Sequence, residues 1–167
     1  MRATRTQLPD GGEWTGGVLS ERATCLLCPN PSPMTLDGTN TWLLSEPGSH
    51  EVVVVDPGPE HPEHLRRIVD EVARRGARVA LTLLTHGHAD HAEGADSFHR
   101  LTGAPVRRAR VAGGDDDLVA GDHLSVGGLE LVVVPTPGHT ADSVSFVLPA
   151  ENRLLTGDTV LGRGSTV

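Results

Sequence analysis

The stretch Val79-Ala80-Leu81-Thr82-Leu83-Leu84-Thr85-His86-Gly87-His88-Ala89-Asp90-His91 runs an apolar segment straight into three imidazoles and one carboxylate. Residues 79 to 84 have the length and apolar density of a buried strand. Residues 85 to 91 read as a metal-binding loop at the strand's end. Neutral imidazole nitrogen together with carboxylate oxygen suits zinc, manganese or ferrous iron, whereas an all-thiolate site needs cysteines that this segment lacks. Metal-assisted chemistry is the expectation.

Outward from that loop the pattern recurs. The run Leu129-Glu130-Leu131-Val132-Val133-Val134 leads into Pro135-Thr136-Pro137-Gly138-His139-Thr140, and Arg153-Leu154-Leu155-Thr156 leads into Gly157-Asp158-Thr159. Each is a strand followed by a turn that carries one candidate ligand. Taken singly, His139 and Asp158 read as ordinary turn residues. With the first loop they form one architecture used three times.

The segments T-H-x-H-x-D-H, P-G-H-T and G-D, in this order, resemble the metallo-β-lactamase superfamily of hydrolases. More narrowly, Pro33-Met34-Thr35-Leu36-Asp37-Gly38-Thr39-Asn40-Thr41-Trp42 and the end from Gly157 to Val167 are similar to the lactamase-beta-like-2 subfamily, whose animal members are endoribonucleases. The resemblance covers residues 29 to 167.

Carried over residue by residue, it implies that His86, His88 and His139 bind one metal ion, that Asp90 and His91 bind a second, and that Asp158 bridges the two. Asp56, in Val55-Asp56-Pro57-Gly58, matches an aspartate that braces the histidine loop from behind by hydrogen bonding. Read alone, Asp56 belongs to an Asp-Pro-Gly turn. The resemblance implies up to two zinc ions, with manganese or iron as alternatives. A hydroxide held between them would be the nucleophile, and Asp90 would orient it and accept its proton.

The implied fold is α/β, an αββα sandwich with the metals at the lip between two mixed sheets. This chain resembles the first half plus the opening strands of the second, so residues 1 to 167 are expected to form a single incomplete domain, with 1 to 28 as an N-terminal edge segment or hairpin. Family members supply a last histidine to the second ion from a later turn. No histidine follows His139 here, so the second site is expected to be one ligand short. The inner apolar faces of residues 131–134 and 144–148 are expected to lie partly uncovered, favouring self-association or pairing with a C-terminal segment.

A length of 167 residues suits about one domain. The formal charge of −8 argues against a generic nucleic-acid or acidic-membrane surface, which relies on cationic side chains. It leaves a phosphodiester substrate open, because two divalent ions bring up to four positive charges into a cleft. Every one of the 14 basic residues is Arg, a skew that looks like translation of a GC-rich bacterial genome. Residues 1 to 10 hold no apolar segment and no run approaches the ~18 apolar residues of a membrane span, so a soluble cytoplasmic protein without a membrane partner is expected. Cys25 and Cys28 form one isolated C-x-x-C and read as reduced packing residues.

Thr41 to Ser45 and Val52 to Val55 read as strands joined by the turn Glu46-Pro47-Gly48-Ser49. Pro62 opens a helix whose Leu65, Ile68, Val69 and Val72 share one face, and Gly76 follows its end. A short helix carrying Ala95, Phe98 and Leu101 stops at Gly103, and Val126-Gly127-Gly128-Leu129 reads as a hairpin turn. His50, His61, His64, His99 and His123 read as surface or capping residues, Asp115-Asp116-Asp117 as a solvated loop, and Arg107-Arg108-Ala109-Arg110 as a strand edge or loop.

These residues leave three functions open. The first is dinuclear hydrolysis of phosphodiesters, single-stranded RNA above all, favoured by the subfamily resemblance. The second is hydrolysis of a thioester or other small activated acyl compound, as in the glyoxalase II branch. The third is a truncated fragment that binds metal without turnover.

Overall fold

Val52, Val53, Val54 and Val55 are all buried, which an isolated strand with one wet face does not allow. The computed structural model, which describes residues 14–109 and 117–162, gives the reason. Val53 and Val55 pack toward a second sheet, while Val52 and Val54 pack toward helices.

The first sheet contains β1 (Gly16–Val18), β2 (Ala23–Leu27), β3 (Asn40–Leu44), β4 (Glu51–Val55), β5 (Arg78–Leu84) and β6 (Val106–Arg108), in that spatial order. Strands β1 to β4 run antiparallel, and β4, β5 and β6 are parallel. Their parallel links are α1 (Pro62–Arg74) and the pair α2 (Ala89–Ala92) and α3 (Ala95–Thr102). The second sheet is antiparallel, ordered β10 (Arg153–Leu155), β9 (Val144–Leu148), β8 (Leu129–Pro135), β7 (His123–Val126). The fold is the mixed α/β, two-sheet architecture expected from the sequence.

The register of β4 against β5 slips between Val52 and Val53. Val79 therefore faces the helices while Leu81 and Leu83, of the same parity, face the second sheet. In α1, Leu65, Ile68 and Val72 are buried and Val69 is partly so. His61 caps its start, accepting from the His64 N–H at 3.2 Å. Gly76 and Gly103 take positive φ just past α1 and α3, as the helix stops require.

Several expectations need correction. Leu131, Val133, Val144, Phe146 and Leu148 are buried against the first sheet, so the inner face of the second sheet is covered. The sandwich closes because β4 and β5 already offer Val53, Val55, Leu81 and Leu83 to it. Apolar exposure lies instead on the outward side, at Val134 and Leu154. Leu101, carried on α3 with the buried Ala95 and Phe98, is 52% exposed. Three residues turn a helix by about 300°, so the stripe through Ala95 and Phe98 has rotated away by Leu101. His64 is 1% exposed and belongs to the interior, not the surface.

The N-terminal hairpin is β1 and β2, with residues 1–13 outside the described residues. Arg107 and Arg108 lie on the edge strand β6, where Arg107 bonds Asp122 at 3.2 Å. Arg110, Asp115 and Asp116 fall outside the described residues. Cys25 and Cys28 are buried and free. No helix among the described residues is long and apolar enough to cross a membrane.

Candidate metal centre

Four segments reach one lip of the sandwich, each leaving the carboxyl end of a strand: Asp56 after β4, Thr85 to His91 after β5, His139 after β8 and Asp158 after β10. The two sheets are tied there, where the Val144 N–H donates to the Thr85 carbonyl at 2.8 Å. Gly157 makes the last approach possible. It sits at φ 51°, and a Cβ there would lie 2.6 Å from Thr85 Oγ1.

The donor atoms of His86, His88 and His139 lie within 4.8 Å of one another, as do those of His86, His91 and Asp158. His139 Nε2 is 2.9 Å from His88 Nδ1, and Asp158 Oδ2 is 3.8 Å from His139 Nε2. His91 Nε2 is 3.3 Å from Asp158 Oδ1 and 3.4 Å from Asp90 Oδ2. All six residues expected from the sequence to hold metal thus meet in one place. Asp90 and Asp158 are half-buried and His88 is exposed, so the cluster is reachable from solvent.

Asp56 organises the cluster from below. At 2% exposure, its Oδ1 accepts from the Thr85 N–H at 2.8 Å, and its Oδ2 accepts from Thr85 Oγ1 at 2.7 Å and lies 2.9 Å from His91 Nδ1. An ionised carboxylate only accepts, so His91 carries its proton on Nδ1 and turns Nε2 toward Asp90 and Asp158. Thr85 Oγ1 has spent its one proton on Asp56 and can only accept from His86 Nδ1, 3.0 Å away. His86 Nε2 is then a bare lone pair.

That lone pair is the test of whether a metal fits. His86 Nε2 is buried with no hydrogen-bond partner, which is costly unless a cation takes it up. Burial, helped by the nearby charge on His91, lowers the His86 pKa to about 4, so the ring is neutral and its lone pair available. At His91, burial opposes charge but Asp56, Asp158 and Asp90 outweigh it, raising the pKa well above the usual range. Something positive belongs among these carboxylates, either a proton or a metal ion. Asp90 is held below its usual range chiefly by its hydrogen bond to His91, and Asp158 is lowered too, burial opposing and His91 prevailing. These donors could hold divalent metal.

Thr85 and Gly157 were present in the sequence motifs, but their roles were not legible there. Thr85 is the residue before the first histidine, and its value comes from facing Asp56 and His86 at once.

Beside the cluster opens a cleft of about 760 Å³ whose lining includes Asp56, Asp90, His91 and Asp158. Its walls include Trp14, Met34, Leu36, Trp42, Leu148 and Leu155. Arg153 is the one Arg or Lys among the described lining residues, against the four carboxylates of Asp37, Asp56, Asp90 and Asp158.

The sequence profile of the metallo-beta-lactamase superfamily matches residues 34–166. Lactamase-like protein aptB of Emericella nidulans is 36% identical over 152 residues, covering 89% of this chain and 48% of its own. An atrochrysone carboxyl ACP thioesterase of Aspergillus chevalieri is 33% identical, covering 89% of this chain and 49% of its own. The beta-lactamase-like protein 2 homolog of Caenorhabditis elegans is 33% identical, covering 89% and 53%. Among solved structures, ETHE1 from Myxococcus xanthus superposes with a TM-score of 0.71 at 31% identity, covering 86% of this chain and 60% of that one. The chain spans about half the length of the curated relatives it matches.

Proposed function

This chain belongs to the metallo-beta-lactamase superfamily of hydrolases, and from that premise we propose that its histidine and aspartate cluster is a divalent-metal centre that hydrolyses an acyl thioester. The observation that carries the substrate class is the cleft, whose lining brings the apolar side chains of Trp14, Met34, Leu36, Trp42 and Leu155 together with Asp90, His91 and Asp158 of the cluster. An acyl chain would lie against Met34, Trp42 and Leu155, whereas a polyanionic strand would find Arg153 as the one guanidinium among the described lining residues and would depend on bound metal for its remaining attraction. A relative named as an acyl carrier protein thioesterase supports the same reading. The RNA reading, ranked first on sequence, moves to second place.

His86, His88 and His139 would hold one ion, and His91, Asp90 and Asp158 a second, with Asp158 placed between the two sets. Nitrogen and carboxylate donors of this kind suit zinc. Bound there, divalent ions would make water ionisable near neutral pH and polarise the scissile carbonyl oxygen.

The protein's own part is orientation. Asp56 and Thr85 hold the His86 and His91 rings so that both Nε2 atoms face the cluster. Asp90, half-buried and held below the usual carboxylate range, would orient the attacking water by accepting its hydrogen bond, while the water's proton passes to solvent. Water adds to the thioester carbonyl, the C–S bond breaks, and the products are a carboxylate and a thiol. A thiol has a pKa of about 8.5, so it departs as thiolate without a strong acid beside it. That suits a site where Asp90 and Asp158 are both held below the usual carboxylate range.

The test is to load the chain with zinc and follow thiol release from short- and long-chain acyl thioesters, beside cleavage of a fluorescent single-stranded RNA. Thiol release that chelator abolishes, with RNA intact, is expected. RNA cleavage without thiol release would reverse the assignment.

A further inference from the structure

Beside the Asp56 carbonyl lie two buried polar residues to which neither the metal sets nor the cleft assigns a role. Thr41 is fully buried on β3 and His64 is 1% exposed on α1. Thr41 Oγ1 donates to the Asp56 backbone carbonyl at 2.7 Å, and His64 Nε2 lies 2.9 Å from the same hydroxyl. The carbonyl can only accept, so the threonine proton is committed to it. His64 must therefore donate from Nε2, and its Nδ1 is left buried without a hydrogen-bond partner.

We propose that His64 and Thr41 are a positioning pair that pins the Asp56 carbonyl through the chain His64 Nε2–H to Thr41 Oγ1–H to Asp56 O, and thereby aims the Asp56 carboxylate at Thr85 and His91. The backbone of Asp56 shows why a pin is needed. Its φ is 54°, a left-handed conformation that is unfavourable for an L-residue. Its N–H is held by Leu83 O at 2.9 Å, its carbonyl by Thr41, and its carboxylate by Thr85 and His91. Release of the carbonyl lets the residue relax toward negative φ, which swings the carboxylate off His91 Nδ1.

The burial of an unpaired nitrogen supports this reading. A purely packing role at the start of α1 is met by an aliphatic side chain without stranding Nδ1. Burial, with Arg67 and His61 nearby, lowers the His64 pKa to about 4, so the ring stays neutral and its Nε2 proton stays directed at Thr41.

The proposal rests on the candidate metal centre, but its first readout needs no metal. Histidine nitrogen spectra of the metal-free protein report whether the His91 Nδ1 proton is held. Wild type, Thr41→Ser and His64→Gln, which keep a donor at the needed place, are expected to show a slowly exchanging Nδ1 proton. Thr41→Val and His64→Leu are expected to lose it, and to bind Co²⁺ about tenfold more weakly. Retention of that proton in folded Thr41→Val, with Co²⁺ affinity within twofold of wild type, would overturn the proposal. So would loss of the proton in Thr41→Ser and His64→Gln alike, since only packing would then explain the defect. If His64→Leu does not fold, the two threonine variants decide alone. A wild-type chain that binds no Co²⁺ would remove the metal reading while the nitrogen spectra still decide this one.

Discussion

Asp56 Oδ2 lies 2.9 Å from His91 Nδ1, and this one contact decides which nitrogen of His91 faces the cluster. The same oxygen takes the Thr85 hydroxyl proton at 2.7 Å, which in turn fixes the tautomer of His86. Two rings of the candidate centre are thus oriented by one buried carboxylate.

Replacing Asp56 by Ala strands the Thr85 N–H, the Thr85 hydroxyl and His91 Nδ1 in the interior. The expected loss of stability is about 3 kcal/mol or more, read from urea denaturation of the metal-free protein. A loss under about 1 kcal/mol would show that the carboxylate is not the hub described.

Thr85→Val keeps the shape of the side chain but removes the acceptor for His86 Nδ1 and one donor to Asp56. Metal affinity is expected to fall about 10- to 100-fold in chelator competition while the fold persists. Unchanged affinity would mean that the tautomer of His86 is set by something else.

Gly157→Ala tests the approach of the Asp158 turn to Thr85. The added Cβ would sit 2.6 Å from Thr85 Oγ1 at a positive φ, so a stability loss of about 1–3 kcal/mol is expected. Metal content should fall with it, because the turn that carries Asp158 must move. A variant as stable as wild type, with full metal content, would contradict the close approach.

The metal-free protein should weaken in mild acid. His64 and His86 have folded pKa values lowered to about 4, burial being the largest cause for each. An unfolded histidine titrates near about 6.5. Between these values the unfolded chain binds more protons, so stability falls as pH drops from about 6.5 toward about 4. His91 has the opposite sign: its raised pKa contributes stability fully present below about 6.5, and lost as pH rises through the folded value. Denaturation midpoints across pH check both limbs, and His64→Gln should shrink the acid limb.

Much of this was legible in the sequence because ligand-bearing turns follow apolar strands, and strands that end at one edge of a sandwich put their turns together. The loop of His86, His88, Asp90 and His91 was readable for that reason, while His139 and Asp158 were joined to it by the repeated pattern and the family resemblance together. The burial of His64 was not, because it depends on α1 docking over Gly58, a contact that helical periodicity does not encode. Neither was the covered inner face of the second sheet. The strand-rich run from 123 to 155 shows which residues are apolar, but not that β4 and β5 offer Val53, Val55, Leu81 and Leu83 to them. The opposite facing of Val79 and Leu81 was hidden for a related reason: a one-residue slip in register leaves no mark on sequence parity.

The central claim is that these imidazoles and carboxylates are a metal centre, and elemental analysis of the purified chain beside His86→Ala and His88→Ala tests it most directly. Wild type should carry at least one equivalent of divalent metal, zinc foremost, and both variants should lose most of it while remaining folded. Equal metal content in all three proteins, or none in wild type after exposure to zinc, would contradict the account.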